Sequence, residues 1–238
     1  MKRSFPCLFF CLMLAAGAHA EDRLIEDAQW PNGDKIPYLL TVEGAEPKYV
    51  VILMPGGTGR LEPHMQKGEI KFFGAGNFLI RSRDVFADQD FAAVSTDATQ
   101  DAVRMQAIVD DVQRRFKAAE IYLIGTSRST LSTISLAKSM DGKVAGFIHT
   151  SSMAAIGGLD TRGFKSRHLI VHHRNDECRV TPPYAAIGNN KDYGTALILV
   201  EGGVSYGDVC EARAHHGYNG VEADIVGKIK DWIRKAGR

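Results

Sequence analysis

Ser127 has the surroundings that a nucleophilic serine requires. It lies in the string Gly125-Thr126-Ser127-Arg128-Ser129, directly after a short apolar run of strand type. Where a strand reverses sharply into a helix, the residues two before and two after the serine nearly touch, so both must be small. The hydroxyl then points outward at the positive end of the helix. The string alone also fits a serine that caps an ordinary helix, but the flanking strand and small-residue helix favour a nucleophile.

Short apolar runs and helical patterns alternate along the chain after its first twenty residues. Runs without polar alternation are typical of strands buried on both faces, as in a parallel sheet. Residues 36–42 could form an antiparallel edge strand before them. The alternation predicts a single domain over residues 21–238, of the α/β class, folded as a three-layer α/β/α sandwich with a mostly parallel sheet. The predicted parallel strands are 49–54, 91–95, 121–124, 144–148, 168–171 and 196–200, and the helical patterns lie in 105–116, 131–140 and 221–233.

Residues 1–20 have the composition of a signal peptide. Lys2 and Arg3 supply a positive charge, residues 5–16 are mostly apolar, and the last three residues are Ala-His-Ala, with small residues where a signal peptidase reads them. The apolar stretch is shorter than the roughly 20 residues that a membrane anchor needs. We therefore expect cleavage near Ala20 and a soluble protein, periplasmic or secreted, without a stable membrane anchor.

The composition argues against one class of partner and predicts a disulfide. The 238-residue chain has a formal net charge of +1 and no block of Lys or Arg, so nothing indicates a nucleic-acid partner. Beyond residue 20, the cysteines are Cys178 and Cys210. An oxidising compartment rarely leaves thiols unpaired, which predicts a bridge between them; two unrelated buried thiols are the alternative. We expect a monomer or a small homo-oligomer.

With these elements and the turn at Ser127, the chain resembles the α/β-hydrolase superfamily in its short, lidless form, over essentially all of residues 21–238. Only residues 149–167 separate two of the predicted strands at the point where a helical cap would be inserted, which is too short for one. The resemblance implies the α/β-hydrolase fold and a triad whose members follow one another in the order serine, acid, histidine.

Two residues downstream match the acid and the base that the resemblance implies. Asp176 lies just past the run 168–171 and shortly before a Val-Thr-Pro step, where the threonine is a small departure from the usual pattern; Glu177 is its nearest competitor. For the base, His216 directly precedes a glycine ahead of the last helix, which favours it over His215. Only one of the two histidines can face Ser127, because neighbouring side chains diverge.

The resemblance also implies donors for the oxygen that becomes negative during acyl transfer. One donor is the backbone N–H of Arg128, and the other comes from the loop 54–59, where we favour Gly57 or Thr58. The histidine that often leads this loop in the family is absent, and an ordinary flexible turn is the alternative. A bridge between Cys178 and Cys210 would join the loop of the acid to the loop of the base.

These residues predict a serine hydrolase that cleaves a small-molecule acyl ester, in the manner of the carboxylesterases (EC 3.1.1), through an acyl-enzyme intermediate. Thioester and amide substrates use the same chemistry and stay open, and no metal or organic cofactor is required. A non-catalytic binding protein on the same fold is one alternative. A metal-dependent hydrolase using His172, His173, Asp176 and His215 is another, although His172 and His173 would point to opposite faces of a regular strand.

Overall fold

The apolar runs of the sequence form the strands of one eight-stranded sheet. The computed structural model describes residues 21–235, with side chains from residue 28 onward, so the predicted signal peptide lies outside the described residues. The sheet has the order β1-β2-β6-β3-β7-β8-β9-β10, and β4 and β5 form a separate small hairpin. The strands are β1 (Glu21–Gln29), β2 (Lys35–Val42), β3 (Tyr49–Met54), β4 (His64–Gln66), β5 (Glu69–Lys71), β6 (Phe91–Ser95), β7 (Glu120–Thr126), β8 (Gly146–Thr150), β9 (Arg167–His173) and β10 (Ala196–Val200).

Six α-helices lie within the described part of the chain. They are α1 (Phe78–Arg81), α2 (Arg83–Phe86), α3 (Ala102–Arg115), α4 (Thr130–Met140), α5 (Pro183–Tyr193) and α6 (Glu222–Arg234). Asp101 begins α3, because its carboxylate accepts the N–H groups of Val103 and Arg104. Gly194 ends α5 in the left-handed conformation that a glycine adopts without strain. Within residues 21–235, no helix is both long and apolar enough to span a membrane.

Two details of the sheet differ from the sequence predictions. β2 runs antiparallel to β6 as expected, but it is not the edge strand, because β1 pairs along its other side. The strand predicted at 144–148 lies two residues later, because the polar residues His149 and Thr150 belong to it. Their side chains are buried and satisfied by hydrogen bonds to Thr133 Oγ1 and to the carbonyl of Gly125.

Helices cover both faces of the sheet, so the chain has the predicted α/β/α sandwich with a mostly parallel sheet. One face packs against α3, α4 and α5, and the other against α6 and the short helices α1 and α2. Successive side chains of a strand point to opposite faces of the sheet. Ile52 therefore lies in the core beneath α3, and Leu53 lies in the core on the other face. Six strands of the large sheet, β6, β3, β7, β8, β9 and β10, run parallel to one another. Their carboxyl ends therefore meet along one edge, where ligands bind in open α/β sheets.

Candidate active site

Ser127 lies in a strained turn at the carboxyl end of β7. Its φ is +53°, in the left-handed region that non-glycine residues rarely adopt, and a short 3-10 turn (Ser127–Ser129) leads from it into α4. The predicted close approach across the turn is present. A methyl group on Gly125 would lie 2.7 Å from the carbonyl oxygen of Ser129 and 2.7 Å from Thr133 Cγ2, so only glycine fits. The side chain of Ser127 faces a cavity instead of the sheet.

A second glycine, Gly56, lies against Ser127, whereas the sequence indicates only that it belongs to the loop 54–59. A methyl group on Gly56 would be 2.9 Å from Ser127 Cβ and 2.9 Å from the carbonyl oxygen of Thr126. The same loop is tied to the turn by Ser129, whose hydroxyl donates to the carbonyl of Pro55 at 2.5 Å. Ser129 therefore joins the turn to the loop that follows β3.

Asp176 and His216 come together beside this turn. The imidazole Nδ1 of His216 lies 3.0 Å from Oδ2 of Asp176, and both side chains are almost fully buried. A neutral imidazole that donates from Nδ1 keeps Nε2 free as an acceptor, the form that a general base needs. His216 lines the same cavity as Ser127. The hydrogen bonds of the His216 imidazole to other described residues are both made by Nδ1.

Further hydrogen bonds hold the carboxylate in place. Thr181 Oγ1 donates to Asp176 Oδ2 at 3.0 Å and lies 3.0 Å from His216 Nδ1, while the N–H of Cys178 donates to Asp176 Oδ1. Nε2 of His172 lies 3.4 Å from Asp176 Oδ2. Burial by itself would raise the pKa of Asp176, but the hydrogen bonds from His172 and His216 outweigh burial and hold that pKa well below its ordinary value. The carboxylate is therefore charged at neutral pH.

His215, the alternative base, lies elsewhere. Its ring stacks on that of His173, with centroids 4.5 Å apart and planes within 5°, and its buried Nδ1 has no hydrogen-bond partner among the described residues. His173 in turn contacts the carbonyl of Gly202, and burial lowers its pKa. Of the two neighbouring histidines, only His216 contacts Asp176. Glu177, the competing acid, makes no such contact with either histidine.

The residues of the alternative metal site are divided between two places. His172 contacts Asp176, whereas His173 and His215 stack on each other, and Cys178 is bonded to Cys210. Within the described part of the chain, no three side chains of His, Cys, Asp or Glu are grouped as metal ligands would be.

The cavity beside Ser127 measures about 820 Å³ and opens at the carboxyl edge of the sheet. The predicted oxyanion residues Arg128, Gly57 and Thr58 line it, and the left-handed φ of +63° at Gly57 is one that glycine adopts without strain. Its apolar wall includes Leu131, Met153, Val180 and Phe78, and Asn77 lies on the same rim. The segment 61–86 therefore contributes to the cavity.

The predicted disulfide is present between Cys178 and Cys210, with Cα atoms 4.7 Å apart. Cys178 is buried beside Asp176, and Cys210 lies in the loop that leads from β10 to His216. Both sulfur-bearing residues line the cavity. The bridge thus connects the loop of Asp176 to the loop of His216.

Known structures share this architecture. Among the most similar are the esterase domain of a Rhodothermus marinus protein (TM-score 0.62, 12% identity, 91% of this chain and 98% of that chain covered), Est1E from Butyrivibrio proteoclasticus (0.60, 16%, 91% and 98%) and an α/β serine hydrolase without lid from Xanthomonas campestris (0.59, 12%, 91% and 94%). The chain therefore has the α/β-hydrolase fold, as its sequence predicted. No protein-family model and no curated protein sequence matches it.

Proposed function

We propose that this protein is a serine hydrolase that cleaves carboxylic esters through Ser127, His216 and Asp176. The observation that carries the proposal is the 3.0 Å contact between His216 Nδ1 and Asp176 Oδ2, at a cavity that also holds Ser127 in its strained turn. Nucleophile, base and orienting acid are the three roles that acyl transfer through serine requires. The α/β serine hydrolase and esterase names of the similar structures agree with this chemistry.

The reaction proceeds in two steps. Ser127 Oγ attacks the ester carbonyl carbon as its proton passes to His216 Nε2, and Asp176 stabilises the resulting imidazolium. Backbone N–H groups of Arg128 and of Gly57 or Thr58 bind the negative oxygen. The imidazolium then protonates the leaving alcohol as the carbon–oxygen bond breaks. Water, deprotonated by His216, attacks the acyl-enzyme and restores the serine hydroxyl.

Hydrolysis of 4-nitrophenyl acetate and butyrate by paired histidine variants tests this assignment. We expect His216→Ala to lower kcat by about 10³-fold or more, as loss of a triad base does in other serine hydrolases. The neighbouring variant His215→Ala loses only a stacking contact and should stay within a few-fold of wild type. Full activity in His216→Ala with loss in His215→Ala would assign the base to His215. A wild-type protein that hydrolyses neither ester would refute the proposal.

The substrate class within the ester hydrolases is also a proposal. The apolar wall at Leu131, Met153 and Val180 suits a small acyl ester, and we place the enzyme with the carboxylesterases (EC 3.1.1). Thioester and anilide analogues of the same acyl groups, assayed in parallel, separate esterase from thioesterase and amidase activity. We further propose that the protein is exported, because a disulfide persists in oxidising compartments.

A further inference from the structure

The segment Ser151–Ser152–Met153 follows β8 directly and lies between the two strands that carry the nucleophile and the acid. β8 pairs with β7 on one side and with β9 on the other. Ser151 and Ser152 are fully buried, and Ser151 has a left-handed φ of +42°. The left-handed conformation of a non-glycine residue costs free energy, so it persists only where surrounding contacts hold the residue in it. Each of the three residues makes a hydrogen bond that leads to a different member of the proposed triad.

Ser151 binds the segment that carries the base. Its hydroxyl donates to the backbone carbonyl of His216 at 2.6 Å. Its backbone N–H lies 2.8 Å from the hydroxyl oxygen of Tyr218, two residues beyond the base, and that hydroxyl donates to the carbonyl of Val171. Tyr218 is itself buried, with a left-handed φ of +59°. The turn around His216 is therefore fixed to the end of β8 and to β9.

Ser152 leads to the acid through one histidine. Its backbone N–H donates to Nδ1 of His172 at 3.3 Å, which leaves the imidazole proton on Nε2. That Nε2 donates to the carbonyl of Thr181 at 3.0 Å and lies 3.4 Å from Asp176 Oδ2. The tautomer of His172 and the orientation of its ring toward the carboxylate are thus set from the end of β8.

Met153 leads to the nucleophile through one threonine. Its backbone N–H donates to Thr130 Oγ1 at 3.0 Å, and the same hydroxyl donates to the backbone carbonyl of Ser127 at 2.7 Å. Thr130 is fully buried at the start of α4. The carbonyl of the strained residue is therefore held by a group that is itself held by the end of β8.

We propose that Ser151, His172 and Thr130 are positioning residues, and that the segment Ser151–Met153 fixes the nucleophile, acid and base relative to one another. This rests on the proposed triad. None of the three side chains needs to touch substrate. Their effect is on the alignment of the reacting groups, and small misplacements of such groups slow the chemical step far more than they weaken binding.

Side-chain deletions at Ser151 and Thr130 test the proposal. We expect Ser151→Ala and Thr130→Val each to lower kcat by about tenfold or more, with KM for 4-nitrophenyl acetate within about twofold of wild type. Thr130→Ser keeps the hydroxyl and should recover most of kcat. Ser95→Ala is the matched control, because Ser95 is a buried serine whose hydroxyl has no partner among the described residues. Active-site titration with a fluorophosphonate corrects every kcat for the folded fraction.

The outcomes separate this proposal from the proposed function. If Ser151→Ala does not fold, Ser151→Gly tolerates the left-handed φ, lacks the hydroxyl and is expected to show the same loss of kcat. Wild-type kcat in the folded Ser151 and Thr130 variants, or an equal loss in Ser95→Ala, would overturn the positioning role and leave the hydrolase intact. A wild-type protein without esterase activity and without labelling would overturn both.

Discussion

At the scale of single residues, the site depends on contacts that the sequence hides. The sequence indicates Ser127 as a candidate by the residues around it. It indicates Asp176 and His216 by their order along the chain. Thr181 departs from the pattern that the family resemblance implies, yet its hydroxyl oxygen lies 3.0 Å from both Asp176 Oδ2 and His216 Nδ1. Gly56 and Ser151 also carry no local signal. Their roles arise only when distant segments meet, so periodicity and spacing cannot reveal them.

Thr181 provides a prediction at this scale. Thr181→Val removes the hydroxyl that donates to Asp176 Oδ2, with nearly unchanged shape, and leaves a buried carboxylate with one donor fewer. We expect kcat for ester hydrolysis to fall by about tenfold, because the loss of one charge-assisted hydrogen bond is worth roughly 1.5 kcal/mol or more. Thr181→Ser, which keeps the donor, should act like wild type. Equal kcat values in the valine and serine variants would show that the hydroxyl has no role.

At the scale of elements, the candidate site lies at one edge of the sheet, on loops that follow the carboxyl ends of its parallel strands. Most strands were predictable, because parallel strands are buried on both faces and read as unbroken apolar runs. β8 was misplaced because its polar residues His149 and Thr150 are buried, with hydrogen bonds to Thr133 on α4 and to a carbonyl of β7. The place of β1 outside β2 depends on pairing between strands, which no local pattern specifies. The bridge between Cys178 and Cys210 joins two of the loops that these strands present.

Removal of this bridge tests its contribution to the fold. Cys178→Ala/Cys210→Ser opens a link between residues 32 apart in sequence, and chain entropy predicts a loss of roughly 3–4 kcal/mol in the free energy of unfolding. Alanine suits the buried position and serine the exposed one. Urea unfolding at pH 7 measures the change, and wild-type protein unfolded with dithiothreitol should match the variant. If dithiothreitol does not change the urea midpoint of the wild-type protein, and the variant has the same midpoint, the bridge does not stabilise the fold.

At the scale of the whole molecule, a buried pair of histidines links stability to pH. His149 lies between Thr133 on α4 and His168 on β9, with contacts of 2.7 and 3.2 Å. Burial lowers the pKa of His149 well below its ordinary value and that of His168 to about 4, with the charge of Asp141 opposing the latter shift only in part. Neither histidine belongs to the proposed triad. Their protonation therefore affects the free energy of unfolding and not the proposed chemistry.

The sign of this linkage predicts lower stability in acid. Between the unfolded histidine pKa of about 6.5 and the folded pKa near 4, the unfolded chain binds more protons, so the free energy of unfolding falls as the pH falls. At pH 4.5, His168 alone should contribute a loss of roughly 2–3 kcal/mol. Urea unfolding at pH 7 and pH 4.5 should show a smaller loss in His168→Asn than in wild type. The control variant His64→Asn, which changes an exposed histidine, should lose as much stability between pH 7 and pH 4.5 as the wild-type protein. Identical losses in the wild-type protein and both variants would exclude the buried pair as the cause.

The central claim is that Ser127 is an activated nucleophile, and covalent labelling tests it most directly. A fluorophosphonate probe, followed by peptide mapping, should place one label on Ser127 of the native protein. Ser127→Ala should take no label, and His216→Ala should label far more slowly, because its base is missing. A native protein that takes no label, or a Ser127→Ala variant that labels as fast as wild type, would contradict the account.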